Sequence, residues 1–226
     1  MRHSSWIRLL AYVILSVFMA VISTNLAWHR QIKNGEPLKD LLFDIIPDLS
    51  DVKIPISNYI GTVQIILLFA SFRSKERWRR IFQYIFLQST TTIIRSVTVT
   101  FTTLPNISTP DYCTKKPRNI YETFSNMIIH GTCGDYMYSG HTASAVLLFL
   151  FGYRYSKSVN FVVMNGVFSF LLISFLLLQR WHYSVDCIVA TLIITLIFQL
   201  YVVTEKYEDH WFYFKKKTNL DIYTHK

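Results

Sequence analysis

Charged residues are scarce in this sequence. Asp, Glu, Lys and Arg make up 16% of the 226 residues, whereas hydrophobic residues make up 51%. A soluble domain usually carries about 25% charged residues. The apolar residues also form long blocks and do not follow the spacing of an amphipathic helix. This composition excludes an ordinary soluble enzyme and predicts a chain that lies mostly in a lipid bilayer.

The usual motifs of metal, nucleotide and serine chemistry are missing as well. The sequence has no C-x-x-C or H-E-x-x-H spacing for a metal and no Gly-rich P-loop for a nucleotide. It has no G-x-S-x-G elbow, because "YSGHT" places a histidine where a hydrolase would need another glycine. We therefore expect neither a metal nor a cofactor.

The apolar blocks are long enough to predict membrane-spanning helices. A span needs about 20 apolar residues to cross a hydrocarbon core of about 30 Å. The blocks predict an all-α polytopic membrane protein, a bundle of six helices that forms one catalytic domain over residues 1–226. The predicted spans are 6–27, 54–72, 81–104, 141–155, 159–178 and 184–203. The first block is longer than the 7–15 apolar residues of a cleaved signal peptide, so we predict a retained span.

The basic residues predict the orientation of these helices. Short loops rich in Lys and Arg stay in the cytosol, and the 73–80 loop "RSKERWRR" carries five basic residues. Both termini, including the tail 204–226, are therefore predicted to be cytosolic. The loops 28–53, 105–140 and 179–183 are predicted to face the lumen or exterior. The net charge of +9 gathers on the cytosolic face, where it suits anionic lipids, and nucleic acid is not an expected partner.

The predicted lumenal loop 105–140 contains two candidate modification sites. Cys113 and Cys133 lie in it, and an oxidising compartment permits a disulfide between them. Asn106 begins an N-x-S sequon, which permits glycosylation. Cys187 falls inside the last predicted span and is interpreted as a small apolar filler.

The stretch "HYSVD" places His182 and Asp186 four residues apart. Residues i and i+4 share one helical face, so the carboxylate can hold one imidazole nitrogen and leave the other basic. This arrangement suits a histidine nucleophile or general base. The alternative is an ordinary His–Asp pair at a helix end.

The stretch "SGHT" supplies a second histidine at a predicted helix start. Gly140 permits close approach to the backbone, and the N–H groups of a helix start attract phosphate. His141 is then placed to donate a proton to a leaving oxygen. The alternative is that Ser139 is a simple N-cap with an interfacial histidine beside it.

Two arginines are candidates for binding phosphate. Arg95 lies inside the third predicted span with a stripe of polar neighbours, and such residues at membrane depth are usually functional. Arg180 lies two residues before His182. The alternatives are a structural arginine satisfied by threonines and carbonyls, and an interfacial anchor. The predicted topology brings His141, His182 and Asp186 to the same membrane face, independently of any motif.

Three stretches together resemble the signature motifs of the sphingomyelin synthase family, within the lipid phosphate phosphatase superfamily. They are "CGDYMYSGHT" at 133–142, "HYSVD" at 182–186 and "RSVTVTFTTLP" at 95–105. "IPD" at 46–48 resembles a weaker family motif. Order and topology fit from about residue 45 to residue 205. The resemblance implies a six-span bundle that moves phosphocholine or phosphoethanolamine from a glycerophospholipid to ceramide.

The resemblance also implies roles for the site residues. His182 would form a phosphohistidine, Asp186 would hold His182, and His141 would exchange a proton with diacylglycerol and then ceramide. Asp135 would orient His141 or meet the head-group amine, and Arg95 would steady the phosphate. Independently of the resemblance, Tyr138 and the neighbouring aromatic residues are candidates to bind a choline cation through their ring faces; the alternative is an ordinary interfacial belt.

Two other functions remain open at the level of sequence. A lipid phosphatase or phospholipase-C-like hydrolase would use the same histidines with water as the acceptor. A non-enzymatic lipid transporter would instead use the Arg95 stripe as a polar path. The charge pattern is compatible with the Golgi, the plasma membrane or the endoplasmic reticulum.

Overall fold

The described part of the protein is built from helices and contains no strand. The computed structural model describes residues 3–30, 36–52, 54–72, 74–102, 104, 105, 107, 117–129 and 136–224. In chain order the helices are α1 (His3–Arg30), α2 (Leu41–Ile45), α3 (Ile56–Ser71), α4 (Ser74–Phe101), α5 (Ile120–Ile129), α6 (Gly140–Tyr155), α7 (Val159–Leu178) and α8 (Ser184–Thr224).

Three of these helices have the length and apolar composition of a membrane span. They are Trp6–Arg30, Val159–Leu178 and Ser184–Glu205, and Ile56–Ser71 is a shorter apolar helix. The predicted spans 81–104 and 141–155 fall largely within α4 and α6. An all-α membrane protein is thus confirmed, and the count of six spans remains a prediction.

The helix boundaries differ from the predicted ones in two places. α8 continues to Thr224, well past the predicted end of the last span at residue 203. Two further helices, α2 and α5, lie within the loops predicted for the lumenal side. α5 packs on α1, where the Asn25 side-chain amide donates a hydrogen bond of 2.7 Å to the Thr123 hydroxyl.

α6 packs against α3, α4, α7 and α8. A buried amide network joins three of these helices: the Gln64 amide donates to Asn165 Oδ1 at 2.6 Å, and the Asn165 amide donates to the Leu148 carbonyl at 2.8 Å. Gly152 makes this possible, since a Cβ there would lie 2.5 Å from Asn165 Nδ2. Such polar contacts hold helices together where lipid removes the hydrophobic driving force.

The loops at one end of the bundle are tied to the turn between α7 and α8. The Leu49 N–H donates to the Leu178 carbonyl, and the Gln179 amide donates to the carbonyls of Val52 and Ile54. The Tyr183 hydroxyl donates to the Pro105 carbonyl at 3.0 Å. The starts of α3, α6 and α8 and the end of α4 therefore lie at the same end of the protein.

Candidate active site

The turn between α7 and α8 sets the position of the first histidine. Arg180 has a left-handed backbone with φ of 57°. Its N–H bonds the Leu177 carbonyl at 3.1 Å, and the Trp181 N–H bonds the Leu176 carbonyl at 3.0 Å. This is the Schellman end of a helix, in which glycine is the usual left-handed residue. The turn ends α7 sharply and places His182 just before α8.

His182 and Asp186 form the pair that their spacing predicts. His182 Nδ1 lies 3.2 Å from Asp186 Oδ2. The carboxylate is completely buried, whereas 8% of His182 is exposed. Asp186 Oδ2 also accepts the Tyr183 N–H at 3.1 Å. The carboxylate holds a proton on Nδ1 and leaves Nε2 as the nitrogen with a lone pair for chemistry.

A strained turn connects this pair to the second histidine motif. Met137 has a φ of 88°, which is unusual for a residue with a side chain. In that conformation its N–H donates to Asp186 Oδ1 at 2.8 Å. The Ser139 N–H donates to the Asp186 carbonyl at 3.3 Å. Strain of this kind persists where the surroundings enforce it, and here it joins the segment before α6 to the start of α8.

The two histidine rings lie beside each other. The ring centroids of His141 and His182 are 6.4 Å apart, which is close enough for both rings to contact one phosphate group. Trp181 lies 6.3 Å from the His141 ring, and Tyr136 lies 6.1 Å from the His182 ring. The site thus contains two imidazoles with an aromatic side chain next to each.

Arg95 reaches this site from α4. Its Nε donates to the Tyr138 carbonyl at 3.3 Å. A Cβ on Gly140 would lie 3.3 Å from Arg95 Nε and 3.4 Å from its Cδ. Because Gly140 has no side chain, the arginine packs directly on the backbone residue that precedes His141. The neighbouring threonines of α4 bond carbonyls of their own helix, as Thr98 does with Arg95.

The structure adds one residue that the sequence did not indicate. Asn58, in the first turn of α3, has its Oδ1 2.8 Å from His141 Nε2. Both side chains are exposed at the site. The sequence offers only a polar residue near the start of an apolar block, and its partner stands 83 positions away.

Two predicted binding residues need correction. Tyr138 is completely buried beside Ala143 and Ala190, so it offers no ring face to a head group. Burial raises the pKa of Tyr138 to about 12, and the phenol stays neutral. Ser139 is buried too, and its hydroxyl accepts the Thr142 N–H at 3.2 Å. Ser139 is therefore the N-cap of α6, as the alternative interpretation held.

The guanidinium of Arg180 contacts the segment 43–48. Its Nη2 donates to the carbonyls of Phe43 at 3.0 Å and Ile46 at 3.2 Å, and its Nε lies 3.6 Å from Asp48 Oδ2. A hydrogen bond from Ser50 lowers the pKa of the Asp48 carboxyl, so it is ionised beside the guanidinium. Arg180 therefore holds the weak "IPD" motif in place, which agrees with the alternative of a structural arginine and not with the predicted contact to phosphate.

Several predicted features lie outside the described residues. These are Asp135, the possible disulfide between Cys113 and Cys133, and the sequon at Asn106. Cys187, which is described, is a buried free thiol. Within the part of the chain that the structure describes, no group of three His, Cys, Asp or Glu side chains is arranged to hold a metal ion.

The site residues fall in a stretch shared with known proteins. Residues 132–203 match the PAP2 superfamily C-terminal family, and this matched stretch contains both histidines and Asp186. The chain is 28% identical over 218 residues to phosphatidylcholine:ceramide cholinephosphotransferase 1 of Caenorhabditis elegans, covering 85% of this chain and 45% of the relative.

Two further relatives carry the family name. Sphingomyelin synthase-related 2 of Caenorhabditis elegans is 27% identical over 214 residues, which cover 87% of this chain and 65% of the relative. Human sphingomyelin synthase-related protein 1 is 40% identical over 72 residues, which cover 31% of this chain and 17% of the relative. The chain thus spans about half to two thirds of the length of the first two relatives. These matches support the resemblance to the sphingomyelin synthase family that the three motifs indicate.

Proposed function

We propose that this protein is a sphingolipid head-group phosphotransferase. It moves phosphocholine or phosphoethanolamine from a glycerophospholipid to ceramide and releases diacylglycerol. The observation that carries the proposal is the pair of imidazoles with ring centroids 6.4 Å apart, one of them held at Nδ1 by the buried Asp186. The names of the relatives, which include a phosphatidylcholine:ceramide cholinephosphotransferase, favour the same reaction.

In the first half of the reaction, His182 Nε2 attacks the donor phosphorus. A nitrogen–phosphorus bond forms while the bond from phosphorus to the diacylglycerol oxygen breaks. His141 donates a proton to that oxygen, which leaves as a hydroxyl. Asp186 stabilises the charge that develops on the His182 ring, and Arg95 stabilises the phosphate.

In the second half, ceramide accepts the head group. The ceramide hydroxyl attacks the phosphorus of the phosphohistidine as His141 removes its proton. The nitrogen–phosphorus bond breaks, and His182 and His141 return to their starting protonation states. In the first half His182 gains the head group and His141 gives a proton, and in the second half both steps are reversed. Covalent catalysis with a shared acid–base group requires this reversal.

The proposed location follows from the arrangement of loops. We propose six spans with both termini in the cytosol and the site on the lumenal or exterior face of the Golgi, the plasma membrane or the endoplasmic reticulum. The positive charge of the 73–80 loop supports this orientation because basic loops stay cytosolic. Tyr136 and Trp181 lie at the site, and we propose that their rings form the walls around the head group.

The test is a lipid transfer assay on the full chain in liposomes. Labelled phosphatidylcholine and phosphatidylethanolamine are offered separately, each with ceramide. The expected result is a labelled sphingolipid and one diacylglycerol for each head group moved, and the better donor identifies the head group. Water-soluble labelled head group without labelled sphingolipid would instead make the protein a hydrolase.

Gly140→Ala is expected to lower kcat by about tenfold. The added methyl group would press on Arg95 from 3.3 Å, and a displacement of a few tenths of an ångström at a catalytic group is costly. The matched control is Gly166→Ala in α7, whose added Cβ would meet Phe149 at 3.2 Å. Steady-state transfer rates for both variants provide the measurement. Equal rates for the two variants would show that Arg95 does not need its contact with residue 140.

A further inference from the structure

The two histidines of the site have orienting partners of different charge. His182 is held by the carboxylate of Asp186. His141 Nε2 instead lies 2.8 Å from the amide oxygen of Asn58. A carboxylate favours the protonated imidazole, whereas a neutral amide fixes the ring orientation without adding charge. The difference matches two histidines with different tasks.

We propose that Asn58 is a positioning residue for His141. Its amide oxygen accepts the Nε2–H of the ring and directs Nδ1 toward the reacting oxygen. This role rests on the proposed transferase function, in which His141 gives a proton in one half-reaction and takes one back in the other. Nε2 keeps its proton in both states of the ring, so the contact with Asn58 survives the whole cycle.

The location of Asn58 supports this role over a purely structural one. Asn58 lies in the first turn of α3 and is exposed, so its amide is not needed to satisfy a buried polar group. The buried amide of Asn165, by contrast, bonds the Leu148 carbonyl and accepts from Gln64. Among the described residues, the side chain of Asn58 forms a hydrogen bond with a histidine of the site.

The neutrality of Asn58 is as important as its position. His141 already faces ionisable groups from the other elements around it, and a carboxylate on α3 would add a direct charge partner. Such a partner would hold the proton more tightly and slow its transfer to diacylglycerol. These groups are Arg95 on α4, which packs on Gly140, and His182 in the turn, whose ring centroid lies 6.4 Å from that of His141.

The first measurement compares Asn58→Ala with wild type across pH in the liposome assay. Loss of the acceptor frees the ring to turn, and we expect kcat to fall by about 10- to 100-fold with the donor KM changed by less than about threefold. Asn165→Ala is the control for loss of an amide. It is expected to lower the unfolding temperature and to leave the pH dependence of kcat/KM unchanged.

The second measurement uses Asn58→Asp, which keeps the shape and adds a charge. His141 must be protonated for the donor step and neutral for the acceptor step. We therefore expect the alkaline limb of donor kcat/KM and the acid limb of acceptor kcat/KM both to move to higher pH, by about one unit. A merely structural residue would not move these two limbs together.

The outcomes separate this inference from the function on which it rests. If His182→Ala is inactive but the Asn58→Asp limbs stay at their wild-type positions, the role of Asn58 is wrong and the transferase stands. If Asn58→Ala loses stability to the same extent as Asn165→Ala and keeps wild-type kcat, the role is also wrong. If His182→Ala remains active, the proposed function itself fails.

Discussion

Replacing His182 with alanine is expected to abolish head-group transfer, with a fall in kcat of at least about 10⁴-fold. The reason is that the site, as far as the structure describes it, offers no other nucleophile to carry the head group from the donor lipid to the acceptor lipid. Asp186 is buried and accepts hydrogen bonds from His182 and from the N–H groups of Tyr183 and Met137, so it is not available as a nucleophile. Among the described residues, His141 Nε2 has the neutral amide oxygen of Asn58 as its hydrogen-bond partner, so it lacks the carboxylate pairing that His182 has.

The decisive measurement for His182→Ala is the protein-bound label. Wild-type protein incubated with head-group-labelled donor in the absence of ceramide should retain label that is stable in base and lost in acid. The variant should retain none. His29→Ala, at the exposed end of α1, controls for loss of a histidine elsewhere and should label normally. Head-group transfer by a His182→Ala protein that retains no label would contradict the phosphohistidine, whereas lipid movement without head-group transfer in either protein would favour the non-enzymatic transporter.

Replacing His141 with alanine is expected to slow lipid transfer by about 10²- to 10⁴-fold, which is the usual contribution of a positioned proton donor. The diacylglycerol oxygen is a poor leaving group unless it is protonated. A donor with a nitrophenol leaving group needs no such proton. His141→Ala should therefore form the phosphohistidine at a near-normal rate from the activated donor and only slowly from phosphatidylcholine.

The second half-reaction gives an independent check on His141. Once labelled from the activated donor, the variant should pass the head group to ceramide slowly, because no base removes the hydroxyl proton. If the substitution slows phosphohistidine formation from the natural and the activated donor to the same extent, His141 acts in binding or structure. The assignment of proton transfer to His141 is then wrong. Double replacement of His141 and His182 should be no slower than His182→Ala alone.

The local part of the site could be predicted from the sequence. The pairing of His182 with Asp186 depends on four residues of spacing at a helix start, and the structure shows the hydrogen bond at 3.2 Å. The proximity of His141 and His182 could also be predicted, because the distribution of charged residues placed both histidines at one face of the bundle. The positions of the long helices could be predicted from the apolar blocks.

The features of the site that could not be predicted depend on contacts between segments that are distant in the sequence. Asn58 meets His141 across 83 residues, and no local pattern marks such a pair. The burial of Tyr138 beside Ala190 depends on how α6 meets α8. Arg180 is drawn to Phe43 and Asp48, in a loop whose helix α2 is too short to leave a periodic signal. Side-chain direction was thus the least predictable property of the site.

Asp186 has a second task that complicates any experiment on it. One of its oxygens faces the His182 ring, and the other accepts the Met137 N–H, so a single side chain both tunes a reactive group and fastens two remote pieces of backbone. An asparagine of the same shape has only one oxygen, and its NH₂ would have to point at a hydrogen-bond donor on one side or the other. A loss of activity in an Asp186 variant would therefore combine a change in the chemistry of His182 with a change in the backbone structure. Variants of His182 and His141 separate these two effects.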